Sequence, residues 1–303
     1  FYTLHCCLIL IRIIFAHAIM PNDTNSLKKS LYRKIKYNLL QRNFSGVTAS
    51  LRKLPDFLVI GGKRCGTTTL YEFLKQHPSI SNPPFDHMGF FDDNYKLGID
   101  YYKSFFPIKN KKNDLMINYD VTTSYLANPH VPERMFKHMP NVKLIILLRN
   151  PIARAWSEYN SNLRVNKNYD TFETYIENEL DDLKNYDFSD KVKNNDYDLT
   201  NPKENFLKKG LYAYYLKKWF SVFPKKNLLI LSTETFAENE DYVFTKIFEF
   251  LNLPKYEIKN LKQMSKTTYH NTLNPKTKMK LDKFFESPNK ELFKLIEQEF
   301  TWS

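Results

Sequence analysis

Apolar runs and amphipathic segments alternate along most of this chain. Residues 57–60 form a continuous apolar run, which is typical of a buried parallel strand, and a helical pattern follows over residues 66–76. Further strands are predicted at 116–120, 143–149 and 227–232. Further helices are predicted at 129–138, from Pro151 onward, and at 210–221, 241–251, 275–285 and 288–299. Strands that alternate with helices predict an α/β fold with a central parallel sheet flanked by helices.

Three segments do not share this alternation. Residues 1–20 are apolar but interrupted by charge, and they are barely long enough to span a bilayer, so they are either a signal anchor or a non-native leader. Residues 21–53 are polar and basic and are interpreted as a stem. Residues 166–208 are rich in Asn, Asp, Lys and Tyr, which predicts a mobile insertion on the substrate side that can hold a helix at 171–183.

The composition limits the classes of protein to which this chain can belong. A chain of 303 residues that is 42% hydrophobic is large enough for one globular α/β domain. The net charge of +12 reflects either a lysine-rich proteome or a basic cleft for a polyanionic ligand. Basic residues are interleaved with acidic ones, so nucleic acid is not expected as a partner. Two of the three cysteines precede residue 20, and the globular part therefore has only Cys65 and no internal disulfide.

The most specific chemical signal lies between the first predicted strand and its helix. Gly61 and Gly62 break the strand, and the helix starts near Gly66, so free backbone N–H groups and the positive helix end face one point. Lys63 adds a full positive charge there. This arrangement predicts a phosphate-binding loop, to which Arg64 and the hydroxyls of Thr67, Thr68 and Thr69 also contribute.

The loop differs from one that binds nucleoside triphosphates. Gly61 and Gly66 have the spacing of that motif, but Thr67 stands where its lysine belongs and the lysine has moved to Lys63. The strand at 143–149 ends in Arg149 instead of a magnesium-binding acid. A basic residue at that strand end favours a second phosphate group, so no metal is expected.

Two motifs in this order resemble those of sulfotransferases that use 3′-phosphoadenosine 5′-phosphosulfate (PAPS). The family's 5′-phosphosulfate loop is matched by residues 62–68, and its 3′-phosphate motif, R-[DN]-P-x-x-R-x-x-S-x-Y, is matched by residues 149–159. The chain is most similar to heparan sulfate N- and 3-O-sulfotransferases. Four further blocks carry that similarity, at 98–107, 131–134, 210–224 and 282–302. The resemblance implies a P-loop-like three-layer sandwich and a sulfotransferase domain over residues 54–303.

The resemblance also implies which residues touch the cofactor. Lys63 is expected to neutralise charge on the bridging oxygen during transfer, and Arg149 and Ser157 are expected to hold the 3′-phosphate. The remaining expected cofactor contacts are Arg64, Cys65, Gly66, Thr67, Thr68, Thr69, Tyr212, Lys266, Thr267 and Thr268.

The general base is expected just before Phe90 and Phe91, where the related glycan enzymes carry a glutamate. His87 occupies that position, and a histidine titrates near neutrality and is therefore suited to the task. Asp86 is the alternative base. Val121 replaces a lysine that the family carries, so a weakly active glycan-binding relative is a further alternative.

The acceptor implied by the resemblance is a hydroxyl or amine on a glycan. A small alcohol, phenol or lipid is the alternative acceptor, and a nucleotide-binding P-loop protein without sulfotransferase activity is the alternative function. The implied location is the Golgi membrane with a lumenal catalytic domain and a single anchor. A cytoplasmic location is the alternative, because basic residues follow the apolar segment and the disulfide usual in the heparan-type enzymes is missing.

Overall fold

A central parallel sheet organises the protein. The computed structural model describes residues 48–83, 86–108, 115–165, 168–184, 205–259 and 272–302. The strands pair in the order β2-β3-β1-β4-β5, and every pair is parallel. The carboxyl ends of all the described strands therefore meet at one edge, where open α/β sheets bind their ligands. The strands are β1 (Phe57–Val59), β2 (Ile80–Ser81), β3 (Ile117–Val121), β4 (Lys143–Leu148) and β5 (Leu228–Ser232).

Helices flank this sheet, which confirms the predicted fold class. No described helix combines the length and the hydropathy needed to cross a bilayer. In chain order the helices are α1 (Thr67–Leu74), α2 (Ile99–Lys103), α3 (Val131–His138), α4 (Pro151–Val165), α5 (Phe172–Leu183), α6 (Tyr212–Val222), α7 (Thr233–Glu238), α8 (Glu240–Leu251) and α9 (Pro275–Ile296).

The prediction of two helices at 275–285 and 288–299 is wrong, because α9 continues through Pro288. Proline removes one backbone donor inside a helix and usually kinks or ends it. Here Leu281 and Phe285 on one side of Pro288 and Leu292 on the other are all buried. Both halves of the helix are thus held against the core, which outweighs the local cost of the proline.

Two apolar clusters stabilise the packing of the helices and the sheet. In the first, β1, β3 and β4 pack against α1 and α8, and the ring of Phe73 makes edge contacts with Phe236 and Phe244 at centroid distances of 6.2 and 5.9 Å. The second cluster joins α4, α5 and α9 and includes Phe172 and Phe206.

The second cluster changes the interpretation of the segment at 166–208. The predicted helix is present as α5, and Phe172 and Phe206, from opposite ends of the segment, are both buried with ring centroids 6.0 Å apart. The described ends of this segment are therefore core elements. No local signal in the sequence marks this contact, because the two phenylalanines are 34 positions apart. Residues 185–204 lie outside the described residues.

The predicted anchor at 1–20 and the stem up to residue 47 also lie outside the described residues. The end of the stem is described, and it packs on the domain. Ala49 is buried, and the Arg52 guanidinium donates hydrogen bonds to the carbonyl oxygens of Ser104, at 3.3 Å, and Phe106.

Candidate active site

The glycine loop, residues 61–66, connects β1 to α1 at the carboxyl edge of the sheet. At Gly61 a β-carbon would lie 2.4 Å from the backbone nitrogen of Leu147, so only glycine lets the loop approach β4 this closely. Gly66 has a φ of +84° and precedes the first residue of α1. This left-handed conformation turns the chain sharply into the helix at little cost for glycine.

The amino end of α1 points its polar groups at the loop. The first N–H groups of any α-helix lack intrahelical partners, and no acidic side chain occupies the first turn of α1. Thr67 is buried, Thr69 is half-buried and Thr68 is exposed. The structure therefore brings the predicted 5′-phosphate residues together at a positive helix end.

The predicted 3′-phosphate residues lie beside the same loop. Arg64 Nε donates a hydrogen bond to Ser157 Oγ at 3.3 Å. Arg149 Nη1 donates to the backbone oxygen of Arg64, also at 3.3 Å. Ser157 lies on α4, whose amino end follows β4 directly, and β4 is the neighbour of β1. Two motifs about 80 residues apart in the sequence therefore form one continuous surface.

The buried side chains of Tyr212 and Cys65 support this surface. The buried Tyr212 hydroxyl donates to the backbone oxygen of Arg149 at 2.9 Å and lies 3.8 Å from Cys65 Sγ. Burial raises the pKa of the Cys65 thiol to about 11, so the thiol stays neutral. Both side chains thus hold the loop and Arg149 in place, and their predicted contact with the cofactor stays a prediction.

A buried carboxylate that the sequence reasoning missed lies next to Ser157. Glu158 Oε2 accepts from Arg154 Nη1 at 2.7 Å, and Glu158 Oε1 lies 2.9 Å from Lys209 Nζ and 3.2 Å from Lys63 Nζ. Burial alone would raise the pKa of Glu158, but the charges of Arg154, Lys209 and Lys63 outweigh it and hold the pKa well below its usual range. The carboxylate is therefore ionised and shared by three cations.

Arg154 pairs with its acid in the interior and not on the surface. Its side chain is fully buried, and its acidic partner Glu158 is buried with it. The spacing of these two residues, i and i+4 on one helix, was the available signal for their pairing. The pairing with Lys209 had no local signal, because that residue precedes α6, about 50 positions later.

The acceptor loop, residues 86–92, carries the two candidate bases. Asp86 and His87 are both exposed. His87 has a φ of +62°, and its backbone N–H donates to the Val121 oxygen at 2.6 Å. This bond fixes the histidine at the carboxyl end of β3, beside β1 and on the same edge as the glycine loop. The assignment of the base to His87 stays a prediction, with Asp86 as the alternative.

A buried network anchors the acceptor loop to β3. The hydroxyl of Tyr125 accepts from the backbone N–H groups of Phe90 and Phe91 at 2.7 and 3.2 Å. That hydroxyl donates in turn to Asp120, which also accepts from the hydroxyls of Tyr102 at 2.8 Å and Thr122 at 2.9 Å. Asp120 therefore orders the acceptor loop through the hydroxyl groups of Tyr125 and Thr122, the second of which accepts from the Gly89 N–H at 3.3 Å.

Burial raises the pKa of Asp120 from its ordinary value of 3.8 to about 6. Since the folded protein holds this proton more tightly than the unfolded chain, the free energy of unfolding falls as pH rises from about 4 to 6. The difference in pKa corresponds to about 3 kcal/mol. We expect Asp120→Asn to lack this dependence, so that its stability relative to wild type increases by about this amount between pH 4 and pH 7.

Urea unfolding at several pH values measures this effect, with Asp93→Asn as the matched control because Asp93 is an exposed carboxylate in the same loop region. A constant difference between Asp120→Asn and wild type across this range would show that Asp120 is not the titrating group. Oppositely directed effects of other carboxylates, such as Glu158, cancel in the comparison.

Residues that directly follow β5 make further contacts at this edge of the sheet, and the sequence did not predict them. Thr233 Oγ1 donates to the carbonyl oxygens of Cys65 at 2.7 Å or Leu148 at 2.8 Å, which ties the glycine loop to β4. Glu234 accepts from the backbone N–H of Asn150 at 3.0 Å and from the indole of Trp302 at 3.0 Å. The chain's tail thus supports the residue that follows Arg149.

The remaining positions considered in the sequence analysis lie either in the core or outside the described residues. Val121 is buried in the first apolar cluster, so β3 supplies no cation at this position. Lys266, Thr267 and Thr268 lie outside the described residues. Within the described ranges, no group of three or more His, Cys, Asp or Glu side chains could hold a metal ion.

Comparison with known proteins places this site in a family. The family model described as "Sulfotransferase domain" matches residues 54–294. Among solved structures, the sulfotransferase from Alicyclobacillus acidocaldarius matches with a TM-score of 0.64 at 23% identity, covering 82% of this chain and 98% of that one. This likeness confirms the fold.

Curated relatives agree with the family match. "Membrane-associated sulfotransferase kil1" of Dictyostelium discoideum is 25% identical and covers 84% of this chain and 68% of its own length. "Carbohydrate sulfotransferase 15" of Homo sapiens is 30% identical, with 74% and 48% covered. "Bifunctional heparan sulfate N-deacetylase/N-sulfotransferase 3" of Homo sapiens is 31% identical, with 67% and 23% covered. The chain spans half or less of these two human relatives.

The glycine loop, the Arg149 segment and the matched domain thus agree with one another. The chain belongs to the sulfotransferase domain family.

Proposed function

We propose that this protein transfers a sulfuryl group from PAPS to a hydroxyl or amine of a glycan. The observation that carries the proposal is the meeting of the glycine loop with the Arg149 segment, through the contacts of Arg64 with Ser157 and of Arg149 with the Arg64 backbone. A nucleotide with phosphate groups at both its 5′ and 3′ positions needs two adjacent anion sites, and these residues provide both.

The donor set fits such a nucleotide. The amino end of α1 holds the 5′-phosphate with backbone N–H groups and the hydroxyls of Thr67, Thr68 and Thr69. Arg149 and Ser157 hold the 3′-phosphate, Arg149 as a charged donor and Ser157 as a hydroxyl donor. When bound, PAPS supplies an activated sulfuryl group on its 5′-phosphate.

Lys63 would contact the phosphosulfate and would supply positive charge to neutralise its bridging oxygen. Its side chain is 57% exposed, so the ammonium has the freedom to reach a ligand above the loop. His87 removes the proton of the acceptor hydroxyl or amine at a ring nitrogen, and the Asp120 network holds its loop still.

A glycan acceptor is supported by the relatives, since one is named for carbohydrate and another for heparan sulfate. The exposed position of Asp86 and His87 leaves their edge of the site open to a polymer. A membrane location, at the Golgi with a lumenal domain, is in line with the resemblance to Golgi glycan enzymes and with the name of the kil1 relative.

The proposed cofactor predicts a clear preference among nucleotides. We expect adenosine 3′,5′-bisphosphate to bind far more tightly than ATP, with no need for Mg²⁺, because Arg149 and Ser157 are placed for a 3′-phosphate that ATP lacks. Calorimetry with each nucleotide, with Mg²⁺ and with a chelator, measures this. Equal affinities, or ATP binding that depends on Mg²⁺, would favour a nucleoside-triphosphate-binding protein instead.

Arg149→Ala is expected to weaken binding of the bisphosphate by about 1.5–3 kcal/mol, the usual value of a hydrogen bond to a charged group. Arg164→Ala is the matched control, because that arginine is exposed in the last turn of α4. The 3′-phosphate assignment is wrong if the Arg149 variant keeps the wild-type dissociation constant while remaining folded.

A further inference from the structure

The carboxylate of Glu158 is unusual because it places a negative charge inside an anion-binding site. It lies directly after Ser157, and its side chain is 1% exposed. A buried carboxylate here would repel a phosphate group unless cations neutralised it. The three cations around Glu158 therefore belong to the anion site.

The three cations differ in how firmly they are held. Arg154 is fully buried, and it also donates to the backbone oxygen of Phe206. The side chain of Lys209 is 23% exposed, whereas that of Lys63 is 57% exposed. Lys63 is thus the partner that can leave Glu158 most easily, on a long and flexible side chain.

The two lysines share a single oxygen of Glu158, with Nζ distances of 2.9 Å for Lys209 and 3.2 Å for Lys63. Departure of Lys63 therefore leaves Glu158 with two cations and no unpaired buried charge. An arriving phosphosulfate offers Lys63 a second anion, and the lysine can change partners without exposing the carboxylate.

We propose that Glu158 is a positioning residue that holds Lys63 in the ligand-free protein and releases it to the bound phosphosulfate, while Lys209 keeps Glu158 neutralised. This inference rests on the sulfuryl-transfer function proposed for the site. In the ligand-free protein, Glu158 competes with the cofactor for Lys63. When the product nucleotide leaves, Lys63 pairs with Glu158 again.

Competition and mere structural support predict opposite changes in affinity. We expect Glu158→Gln to bind adenosine 3′,5′-bisphosphate about two- to five-fold more tightly, because Lys63 no longer has a resting partner and the ion pair is partly exposed. A carboxylate that only supported the site would give weaker binding when replaced. Unchanged or weaker binding by the folded variant therefore overturns the proposal.

The Glu158 variant leaves Arg154 without its buried partner and can fail to fold, so Lys209 provides a second test that keeps the Arg154 pair intact. Lys209→Met should weaken bisphosphate binding about two- to five-fold, because Glu158 then holds Lys63 more tightly. In a Lys63→Met background the same change should have no effect, since the competing lysine is gone. Lys209→Arg should restore the wild-type affinity.

Lys208→Met is the matched control, because it removes the same charge one position earlier. If Lys209→Met weakens binding equally with and without Lys63, then Lys209 acts on the phosphate by its charge alone and the proposal is wrong. It is also wrong if Lys209→Met leaves the affinity unchanged. A wild-type protein that binds no bisphosphate at all would instead count against the proposed function, so the two failures are distinguishable.

Discussion

Lys63→Ala is expected to lower kcat by about 10²–10³-fold, the usual loss when one preorganised charge-stabilising group is removed. Lys63 supplies the full positive charge at the mouth of the glycine loop, where charge develops on the leaving phosphate. The helix end and the hydroxyls of α1 remain, so the variant should retain part of its affinity for adenosine 3′,5′-bisphosphate. Transfer of labelled sulfate from PAPS and calorimetry on the same samples measure the two effects separately.

Lys75→Ala serves as the control for Lys63, because Lys75 lies at the far end of α1 and its ammonium pairs with Glu72 at 2.8 Å. It should behave like wild type in both measurements. A Lys63 variant with unchanged kcat would show that charge on the bridging oxygen is neutralised by another group.

His87→Ala is expected to lower kcat by about 10²–10⁴-fold, the range for loss of a general base, with little change in nucleotide affinity. The residue lies at the carboxyl end of β3, on the same sheet edge as the glycine loop. Among the described residues expected to hold phosphate, none forms a hydrogen bond with it. Turnover with saturating PAPS and a panel of glycan acceptors measures the first effect, and calorimetry with the bisphosphate measures the second.

Two companion variants identify the base. His87→Glu should recover part of the activity, because it restores the residue that the related glycan enzymes carry at this position. Asp86→Ala should remain active. An inactive Asp86 variant beside a fully active His87→Ala would assign the base to Asp86, and full activity of both variants would place the base elsewhere.

The sequence predicted those parts of the site that are built from local segments. The apolar strand, the glycine break and the helix start lie within 20 residues, and the strand ending at Arg149 is equally self-contained. The order of these elements was sufficient for a parallel sheet with the site at its carboxyl edge. The helix α5 agrees with the helix that the sequence allowed at 171–183 within the polar segment.

The parts that were missed depend on tertiary contacts. Lys209 reaches Glu158 from the segment that precedes α6, and Trp302 reaches Glu234 from the end of the chain. Neither pair has a spacing that marks it in the sequence. The course of α9 through Pro288 was missed for a related reason, because local proline chemistry predicts a break and only the buried residues on both sides explain its absence.

The contact of Trp302 with Glu234 provides the protein with an optical reporter of its own. The chain has three tryptophans. Trp219 is fully buried, and Trp156 stacks on Tyr159 in the second apolar cluster. The ring of Trp302 lies 6.0 Å from that of Tyr212, which holds the Arg149 backbone. We expect a nucleotide bound at Arg149 to alter the polarity around this indole, so the intrinsic fluorescence of the unlabelled protein should report cofactor occupancy in real time.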